Sequence, residues 1–577
     1  MKYSKRLATV GAVGVSLAAL VAAFGTFAAG TSSGSPATAR AAHSTYAPGG
    51  TLEVSMGSPP ESLDPQSGYS SESQEADWLV YTPLVTYAHK SGLAGDTLIP
   101  GLATALPAVS DGGTVYTATL RKGLKYSNGV AVKASDFTYT IERDLKVGWG
   151  GDSFYTSNIV GAAAYQAGKS KTITGIVTND ATGQITIHLL APYGAFDNVL
   201  AFPSSGLVPT GTAMTALSSA PPPGVGSYEI TQVKPNVSFT LKKNPLFAGF
   251  HIPGIPTGYV DTVQVTIQTN ANTEAQNVLD NTSDEFDWGD VLPPALVAQV
   301  ETQAKNRYRP ETLAATDYFW LNVHIAPFNN VLVREAANLA VSRVALQRLA
   351  SGQITPTCYY LPPSIVGAAS GPCPLGAPSG NGSFSASSLG SSADIALAQK
   401  LVKQAKLVGA PVSVWTENRE PFESFGTYLN AQLNTIGLKS TLKVINSGVF
   451  DPTIGSAKVD PQAGWGEWSQ DYPNPGDFYL VLDARSIEPV NNLNLGYIDD
   501  PHIQSTIIRL DKVQSSDLGS VASQWQALEK YVDSKDYQIN FGYEVSPFFL
   551  SDRVDFATAV FQPVFGDDWS TFELKSS

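Results

Sequence analysis

Short runs in which apolar and polar residues alternate predict β-strands in the first half of the chain. Residues 51–56, 114–121 and 185–189 each alternate with a period of two, which places apolar side chains on one face of a strand. Ser135 and Asp136 supply an N-cap signal for a helix that is predicted to reach about residue 144. Strands and helices therefore alternate here.

The clearest local architecture lies between residues 394 and 444. Residues 394–408 and 422–436 each carry an apolar stripe at helical spacing, and a glycine follows each stripe. Residues 412–415 and 438–444 have strand-like patterns. Strand, helix and strand in about 35 residues predict a βαβ unit, which implies a parallel strand pair covered by a helix. A further single amphipathic helix is predicted over residues 331–350.

The first 42 residues have the organisation of an export signal. Lys2, Lys5 and Arg6 form a basic start, an uncharged run follows over residues 7–30, and Ala39-Arg40-Ala41 offers a cleavage site. The run is longer than a usual signal core and nearly long enough to span a bilayer, at about 20 residues. An uncleaved N-terminal anchor is therefore the alternative. Both interpretations place the protein outside the membrane, in an extracellular, periplasmic or cell-wall location.

Length and charge narrow the functional classes. A chain of 577 residues is too long for one compact core and is expected to form two or more lobes. The formal net charge is −14, which disfavours a nucleic-acid partner because phosphates require a basic surface. Only 15% of the residues are charged, which would suit acidic surroundings.

The two cysteines of the chain, Cys358 and Cys373, lie close together in a stretch rich in proline and glycine. In an exported protein such a pair predicts one disulfide, and two free thiols are the alternative. Two cysteines without nearby histidines do not form a zinc site.

Catalytic motifs are weak in this chain. Residues 30–34 fit the G-x-S-x-G pattern of hydrolases but lie in the export segment, without a preceding strand. The adjacent acids at 499–500 and 567–568 are typical of solvated turns rather than of a glycosidase pair. The six histidines lack metal-ligand spacing. We therefore expect no enzyme activity, no cofactor and no metal.

The most informative stretch is residues 464–475, which concentrates two tryptophans, a tyrosine and two carboxylates among glycines and prolines. The glycines and prolines predict a loop rather than a helix or a central strand. Aromatic rings on a stiff loop can cover an extended ligand, and a carboxylate among them can hold a cationic group. The stretch therefore indicates a binding site.

Six blocks in the same order resemble the extracellular solute-binding proteins of family 5, which serve ABC importers of peptides, nickel chelates and some oligosaccharides. The block YTATLRKGLKYSNG at residues 116–129 is the most specific. The other blocks are ESLDP at 61–65, SDF at 135–137, GVGSY at 224–228, NVHIAPFNNVLVREAANLAVSR at 322–343 and WSQDYPNP at 468–475.

The resemblance implies an α/β, two-lobed periplasmic-binding-protein-like fold of type II, cluster C, with an extra subdomain inserted in lobe one. After a signal peptide or anchor at 1–42 and a linker at 43–49, it places lobe one at 50–85, 225–320 and 535–577, the inserted subdomain at 86–224 and lobe two at 321–534. It further implies a monomer that captures an oligopeptide or a related solute and presents it to an ABC permease with its ATPase subunits.

The family pattern implies that Asp471 holds the α-ammonium group of a peptide. The alternative is that Asp471 only caps the turn before Pro473. Some members have an arginine six residues earlier that can meet a peptide carboxylate, whereas this chain has Trp465, which puts that clamp in doubt. A longer peptide, a counter-charge such as Arg485, or an uncharged solute stacked on Trp465 are the alternatives. The full candidate set is Asp471, Trp468, Tyr472, Trp465, Tyr69, Trp415 and Arg485.

Two other classes stay open on the sequence alone. A secreted glycan hydrolase could use Trp465 and Trp468 as sugar platforms, although no convincing acid–base pair accompanies them. A surface sensor or adhesion protein could use the same binding fold without transport.

Overall fold

The structure is a computed structural model that describes residues 46–375, 384–446, 449–459, 461–490 and 492–575. The predicted export segment at residues 1–42 lies outside these ranges. Among the described residues, no helix has both the length and the apolar character needed to cross a bilayer.

The strands of the first half of the chain are Tyr46–Ala47 (β1), Thr51–Met56 (β2), Val85–Tyr87 (β3), Leu98–Pro100 (β4), Ala108–Ser110 (β5), Val115–Thr119 (β6), Ile176–Asn179 (β7), Gln184–His188 (β8), Tyr228–Lys234 (β9), Ser238–Lys243 (β10), Thr262–Ile267 (β11) and Glu285–Phe286 (β12). Those of the second half are Tyr308–Leu321 (β13), Ile354–Pro356 (β14), Pro411–Glu417 (β15), Lys439–Ile445 (β16), Ala463–Ser469 (β17), Gln538–Leu550 (β18), Phe561–Gln562 (β19), Gly566–Asp567 (β20) and Leu574–Lys575 (β21).

The helices are Ser71–Val80 (α1), Ser135–Val147 (α2), Ser153–Thr156 (α3), Ala162–Gln166 (α4), Phe196–Val199 (α5), Ala271–Leu279 (α6), Pro294–Gln303 (α7), Val331–Ala340 (α8), Arg343–Leu349 (α9), Ser392–Gln404 (α10), Phe422–Thr435 (α11), Phe450–Ile454 (α12), Pro475–Phe478 (α13), Pro501–Leu510 (α14) and Ala522–Asp533 (α15).

One large mixed sheet runs through the molecule in the order β16-β15-β17-β13-β18-β12-β2-β11-β10-β9, with β14 also paired to β18. The long antiparallel pair of β13 and β18 lies in the middle of this sheet. On one side of the pair are β15, β16 and β17 from the second half of the chain, and on the other are β2 and β9 to β12 from the first half. A separate antiparallel sheet has the order β5-β6-β8-β7 and contains the strands predicted near residues 115 and 185.

The predicted βαβ unit is confirmed. Strands β15 and β16 pair in parallel, with Val412 opposite Ser440, and α11 lies between them in sequence. The apolar stripe of α11 explains its position, because Phe425, Leu429 and Leu433 are all buried. The sequence pattern was sufficient here because α11 buries one clean apolar face between two strand-like segments.

The prediction of a loop over residues 464–475 is wrong for the first half of this stretch. Those residues form the central strand β17, which lies between β13 and β15. The glycines that suggested a loop have a packing role instead. A Cβ atom at Gly464 would lie 2.4 Å from Cζ2 of Trp320 and 2.5 Å from the carbonyl oxygen of Trp415. Only glycine lets the strand pass this close to the Trp320 indole.

The single helix predicted over residues 331–350 is also wrong, because it is two helices, α8 and α9. Ser342 caps the second helix by accepting a hydrogen bond from the backbone N–H of Ala345. The buried guanidinium of Arg343 donates to the carbonyl oxygens of Asn338 and Val341 at 2.7 and 2.8 Å. These contacts satisfy carbonyl groups at the break, so that the helix can end inside the protein.

Apolar side chains form two large cores. The first core is built from residues 52–265, the C-terminal residues 548–574 and Tyr472. The second core is built from residues within 314–541. A smaller cluster contains residues 275–304 and Phe549. The disulfide between Cys358 and Cys373 is present in the second half, where it closes a segment of 15 residues. Two separate large cores match the expected two-lobed α/β architecture.

Candidate functional site

A cavity of about 470 Å³ lies against strand β17 and the carboxyl end of β15. Its walls combine aromatic rings, carboxylates and one guanidinium. The lining residues are Tyr318, Glu417, Arg419, Phe450, Asp451, Pro452, Ile454, Gly455, Trp465, Gly466, Glu467, Trp468, Val481, Asn492, Leu493 and Leu495.

Trp465 and Trp468, both predicted as ligand contacts, line this cavity. Trp465 is held rigidly, since its ring stacks on Phe422 with centroids 3.9 Å apart and its indole N–H donates to Oδ1 of Asp317 at 2.9 Å. Trp468 is half-buried, and its indole N–H donates to Oδ2 of Asp477 at 3.3 Å. Fixed aromatic walls of this kind suit a ligand with apolar or planar groups.

Asp471 lies in the turn that follows β17, and Tyr69 reaches it from the first half of the chain. The Tyr69 hydroxyl donates to Oδ1 of Asp471 at 2.7 Å. Burial raises the pKa of Asp471 to about 6, and the Tyr69 hydrogen bond opposes this shift. Two predicted site residues that are 402 positions apart are therefore in direct contact.

The alternative role of Asp471 as the cap of its own turn is filled by a different side chain. Oδ2 of Asp477 accepts the backbone N–H of Asp471 at 2.9 Å. The carboxylate of Asp471 is thus directed at Tyr69 while Asp477 supports the turn. Burial, and then the charge of Asp471, raise the pKa of Asp477 well above its usual range.

Tyr472 lies in the core of the first half of the chain rather than in the cavity wall. Its ring is 1% exposed and packs edge-on against Phe154 and Phe202. Its hydroxyl is 2.5 Å from that of Tyr193. Tyr472 therefore fixes the turn carrying Asp471 against the other half of the molecule.

Of the seven predicted site residues, Trp465 and Trp468 line the cavity and the other five do not. Two of those five, Trp415 and Arg485, have partners of their own. Trp415 is buried in the second core, where its indole N–H bonds Ser413 and the Lys443 ammonium lies 3.6 Å from its ring centroid. Arg485 is exposed and pairs with Asp483 and with Asp511, the latter at 2.8 Å. Both carboxylates raise the pKa of Arg485, so it has counter-charges of its own.

Sequence reasoning missed Arg419, which lines the cavity two residues beyond β15. Its Nε lies 3.1 Å from Oε1 of Glu417, its guanidinium lies 4.6 Å from the Phe422 ring centroid, and its side chain is 60% exposed. Arg419 can therefore still accept a new partner. The available signal was its position at the carboxyl end of a parallel strand, where α/β sheets bind ligands.

Carboxylates dominate the surroundings of the cavity. Asp317 and Glu467 are directly opposite each other on β13 and β17, and Glu544 lies on the neighbouring strand β18. Burial, and then Glu467, raise the pKa of Asp317 to about 8. Burial, followed by Glu467 and Asp317, raises the pKa of Glu544 well above its usual value. We call Asp317, Glu467 and Glu544 the acidic patch.

A second carboxylate group with the donor set of a cation site lies elsewhere, in the first core. One oxygen from each of Glu75, Glu285 and Asp567 lies within 4.8 Å of the others, and all three residues are buried. The Asp567 backbone N–H donates to Glu75 at 3.1 Å, and the Trp569 indole donates to Glu285 at 2.6 Å. Burial raises the pKa of each carboxyl, which favours shared protons among them.

Known proteins resemble this chain over most of its length. The family described as "Bacterial extracellular solute-binding proteins, family 5 Middle" matches residues 97–486. The glutathione-binding protein GsiB of Salmonella choleraesuis (strain SC-B67) is 28% identical over 409 residues, covering 68% of this chain and 69% of the relative. GsiB of Escherichia coli O157:H7 is 25% identical over 402 residues, covering 68% and 69%.

Solved structures share the fold. The clavulanic acid biosynthesis oligopeptide binding protein 2 has a TM-score of 0.82 at 21% identity, covering 92% of this chain and 96% of that one. DppA from Helicobacter pylori in complex with the peptide STSA has a TM-score of 0.69 at 21% identity, covering 92% and 99%. OppA of Haemophilus influenzae in complex with RPPGFSPFR has a TM-score of 0.69 at 18% identity, covering 91% and 99%.

These structures confirm the two-lobed architecture inferred from the resemblance, and the family match extends across both large cores. The members of this family are binding proteins rather than enzymes. The chain therefore belongs to the bacterial extracellular solute-binding proteins of family 5.

Proposed function

We propose that this protein captures oligopeptides between its lobes outside the membrane and delivers them to an ABC permease. One observation carries this proposal: an aromatic cavity with a guanidinium in its wall lies next to a turn whose carboxylate is reached from the other lobe. The ligand is released chemically unaltered, so the chain acts as a receptor and not as an enzyme.

The charges near the cavity fit the two ends of a peptide. Asp471 offers a carboxylate for an α-ammonium group, which needs such a partner when it is removed from water. Arg419 offers a guanidinium for a carboxylate, in place of the arginine that Trp465 replaces. Trp465 and Trp468 provide the apolar walls for side chains between those ends.

The names of similar proteins support a peptide ligand. The relatives matched in sequence are named for glutathione, and two of the structural neighbours hold the peptides STSA and RPPGFSPFR. Contacts to an extended peptide backbone would give broad specificity, with the pockets adding preferences for particular side chains.

Closure of the lobes is the proposed mechanical step. Tyr69 contacts Asp471, and Tyr472 contacts Tyr193, so these two pairs tie the two lobes together. A ligand favours the closed form only through the additional contacts that it makes there. The permease and its ATPase subunits then recognise that form, and the receptor works as a monomer.

Calorimetry with a ligand panel tests this function. The panel contains di- to nonapeptides, glutathione, nickel chelates and oligosaccharides, and mass spectrometry of the recovered ligand shows whether it has changed. We expect binding of peptides without conversion. Binding confined to chelates or oligosaccharides would replace the peptide assignment, and steady consumption of any compound would refute the receptor.

Localisation and assembly have separate tests. N-terminal sequencing of the protein released from cells distinguishes cleavage near residue 42 from an uncleaved anchor, and light scattering measures the oligomeric state with and without peptide. We expect a secreted or surface-bound monomer. A stable dimer in both conditions would refute the monomer.

A further inference from the structure

We propose that the cavity contains a subsite for a positively charged side chain, so that the protein prefers peptides that carry lysine or arginine. This inference rests on the proposed peptide-binding function. The cavity combines an excess of carboxylates over cations, an unpaired acceptor in its wall and aromatic surfaces that face the same space.

Negative groups outnumber positive ones around the cavity. Of its lining residues in the described ranges, Glu417, Asp451 and Glu467 are acidic and Arg419 is basic. The guanidinium already pairs with Glu417 at 3.1 Å. The acidic patch of Asp317, Glu467 and Glu544 therefore adds carboxyl groups that this guanidinium does not pair with and that a ligand cation can ionise.

A second observation indicates that the ligand group bound here donates hydrogen bonds. Asn492 lines the same cavity, is 3% exposed, and has an Oδ1 atom that is buried without a hydrogen-bond partner. An unpaired buried acceptor is costly, and a ligand N–H group would remove that cost. Ammonium and guanidinium groups supply several such donors and no acceptor.

The aromatic walls suit the same ligand group. Trp465 and Phe450 face the cavity with their ring centroids 6.1 Å apart and their planes at 27°. The stem of a lysine or arginine can pack along such rings while its charged end reaches carboxylates. An acidic side chain would instead have Arg419 as the one cationic group among the lining residues of the described ranges, and that guanidinium is shared with Glu417.

Binding of a cation should also release protons. Burial raises the pKa of Asp317 to about 8 and that of Glu467 above its usual value, so part of the acidic patch holds protons near neutral pH. The other charged groups that act on Glu467 are Glu417, Arg419 and Asp451. A ligand cation favours the ionised carboxylates, and the affinity should therefore rise with pH across this range.

Matched peptides test the subsite. Four alanine tetrapeptides carry one lysine, each at a different position, and four partners carry norleucine at the same positions. At one position or more we expect the lysine peptide to bind at least about tenfold more tightly, because buried charge pairs contribute this much. Calorimetry in buffers of different ionisation enthalpy measures the proton release.

Variants locate the effect. Glu467→Gln should remove most of the lysine preference, and Asp451→Asn at the exposed rim should reduce it without endangering the fold. The matched control is Glu488→Gln, which changes an exposed carboxylate and should leave the preference intact.

The possible failures are distinguishable. If peptides bind with equal affinity whether they carry lysine or norleucine at every position, the cation subsite is refuted and the receptor function stands. If the preference persists unchanged in both Glu467→Gln and Asp451→Asn, its location is refuted. If no peptide binds, the proposed function fails and this inference fails with it.

Discussion

Replacing Asp471 by asparagine tests the centre of the proposed site. The substitution removes the charge but keeps an oxygen that can accept the Tyr69 hydroxyl, which is now 2.7 Å away. The turn is supported by Asp477 through the backbone N–H of residue 471, and this bond needs no side chain at that position. We therefore expect the fold to survive while the partner of the ligand ammonium is lost.

The expected loss follows from leaving one charge of a buried pair unpaired, which costs about 2–5 kcal/mol. Each 1.4 kcal/mol is a factor of ten, so peptide affinity should fall by roughly 30-fold to a few thousand-fold. Isothermal titration calorimetry of one peptide against both proteins measures this change. Asp499→Asn, at an exposed carboxylate, is the control.

The pH profile makes the test sharper. Because the pKa of Asp471 is raised to about 6, the carboxylate loses its charge as the pH falls through that value. The affinity of the wild-type protein for a peptide with uncharged side chains should therefore decrease below about pH 6. In Asp471→Asn, the part of this decrease that comes from protonation of residue 471 should be absent. Unchanged affinity in the variant, with a normal melting temperature, would exclude Asp471 from the ligand site.

Three further outcomes are expected. Gly464→Ala should lower the free energy of unfolding by about 1–3 kcal/mol, because the added methyl group overpacks against Trp320. The control Gly249→Ala has open space at its Cβ position and should change the free energy of unfolding by less than about 0.5 kcal/mol. Denaturant titration measures both values, and equal effects would contradict the packing argument. The free energy of unfolding should fall as the pH rises from about 4 to 8. Carboxyl groups such as Asp317, with a folded-state pKa of about 8, bind more protons in the folded protein than in the unfolded chain over this range. A melting temperature that rises between pH 4 and 8 would refute the assignment. Tyr69→Phe removes a hydrogen bond to a carboxylate worth about 1.5–3 kcal/mol, so small-angle scattering should show a more open ligand-free protein; identical profiles would mean that this contact does not hold the lobes together.

The sequence was a good guide where one element carries the whole signal. The βαβ unit of β15, α11 and β16 follows from the sequence because the apolar stripe of α11 is regular and buried, and a strand pattern flanks it on each side. The order of the motif blocks was sufficient to predict the two-lobed fold, because a family resemblance combines many positions that are each weak evidence alone.

The sequence was a poor guide where the local structure depends on contacts with residues that are distant along the chain. Gly464 looks like a loop residue until the Trp320 indole is placed against it. The break between α8 and α9 depends on where the guanidinium of Arg343 finds its acceptors.

The candidate site was only partly predictable for the same reason. Asp471, Trp465 and Trp468 share one short stretch, so a motif could find them together. Arg419 comes from a different stretch, and its only signal was its position just beyond the predicted strand β15, a feature that Arg485 lacks. That Arg419 lines the cavity depends on the order of the strands around it, which no local pattern encodes.

The burial of Tyr472 has a kinetic consequence. Its ring belongs to the core of the opposite lobe, between Phe154 and Phe202, so separating the lobes must return an aromatic ring to water. Exposing a side chain of this size costs about 2–3 kcal/mol, whatever solute is held. The residence time of every guest therefore includes a common contribution set by the protein itself, to which the contacts of the particular guest are added.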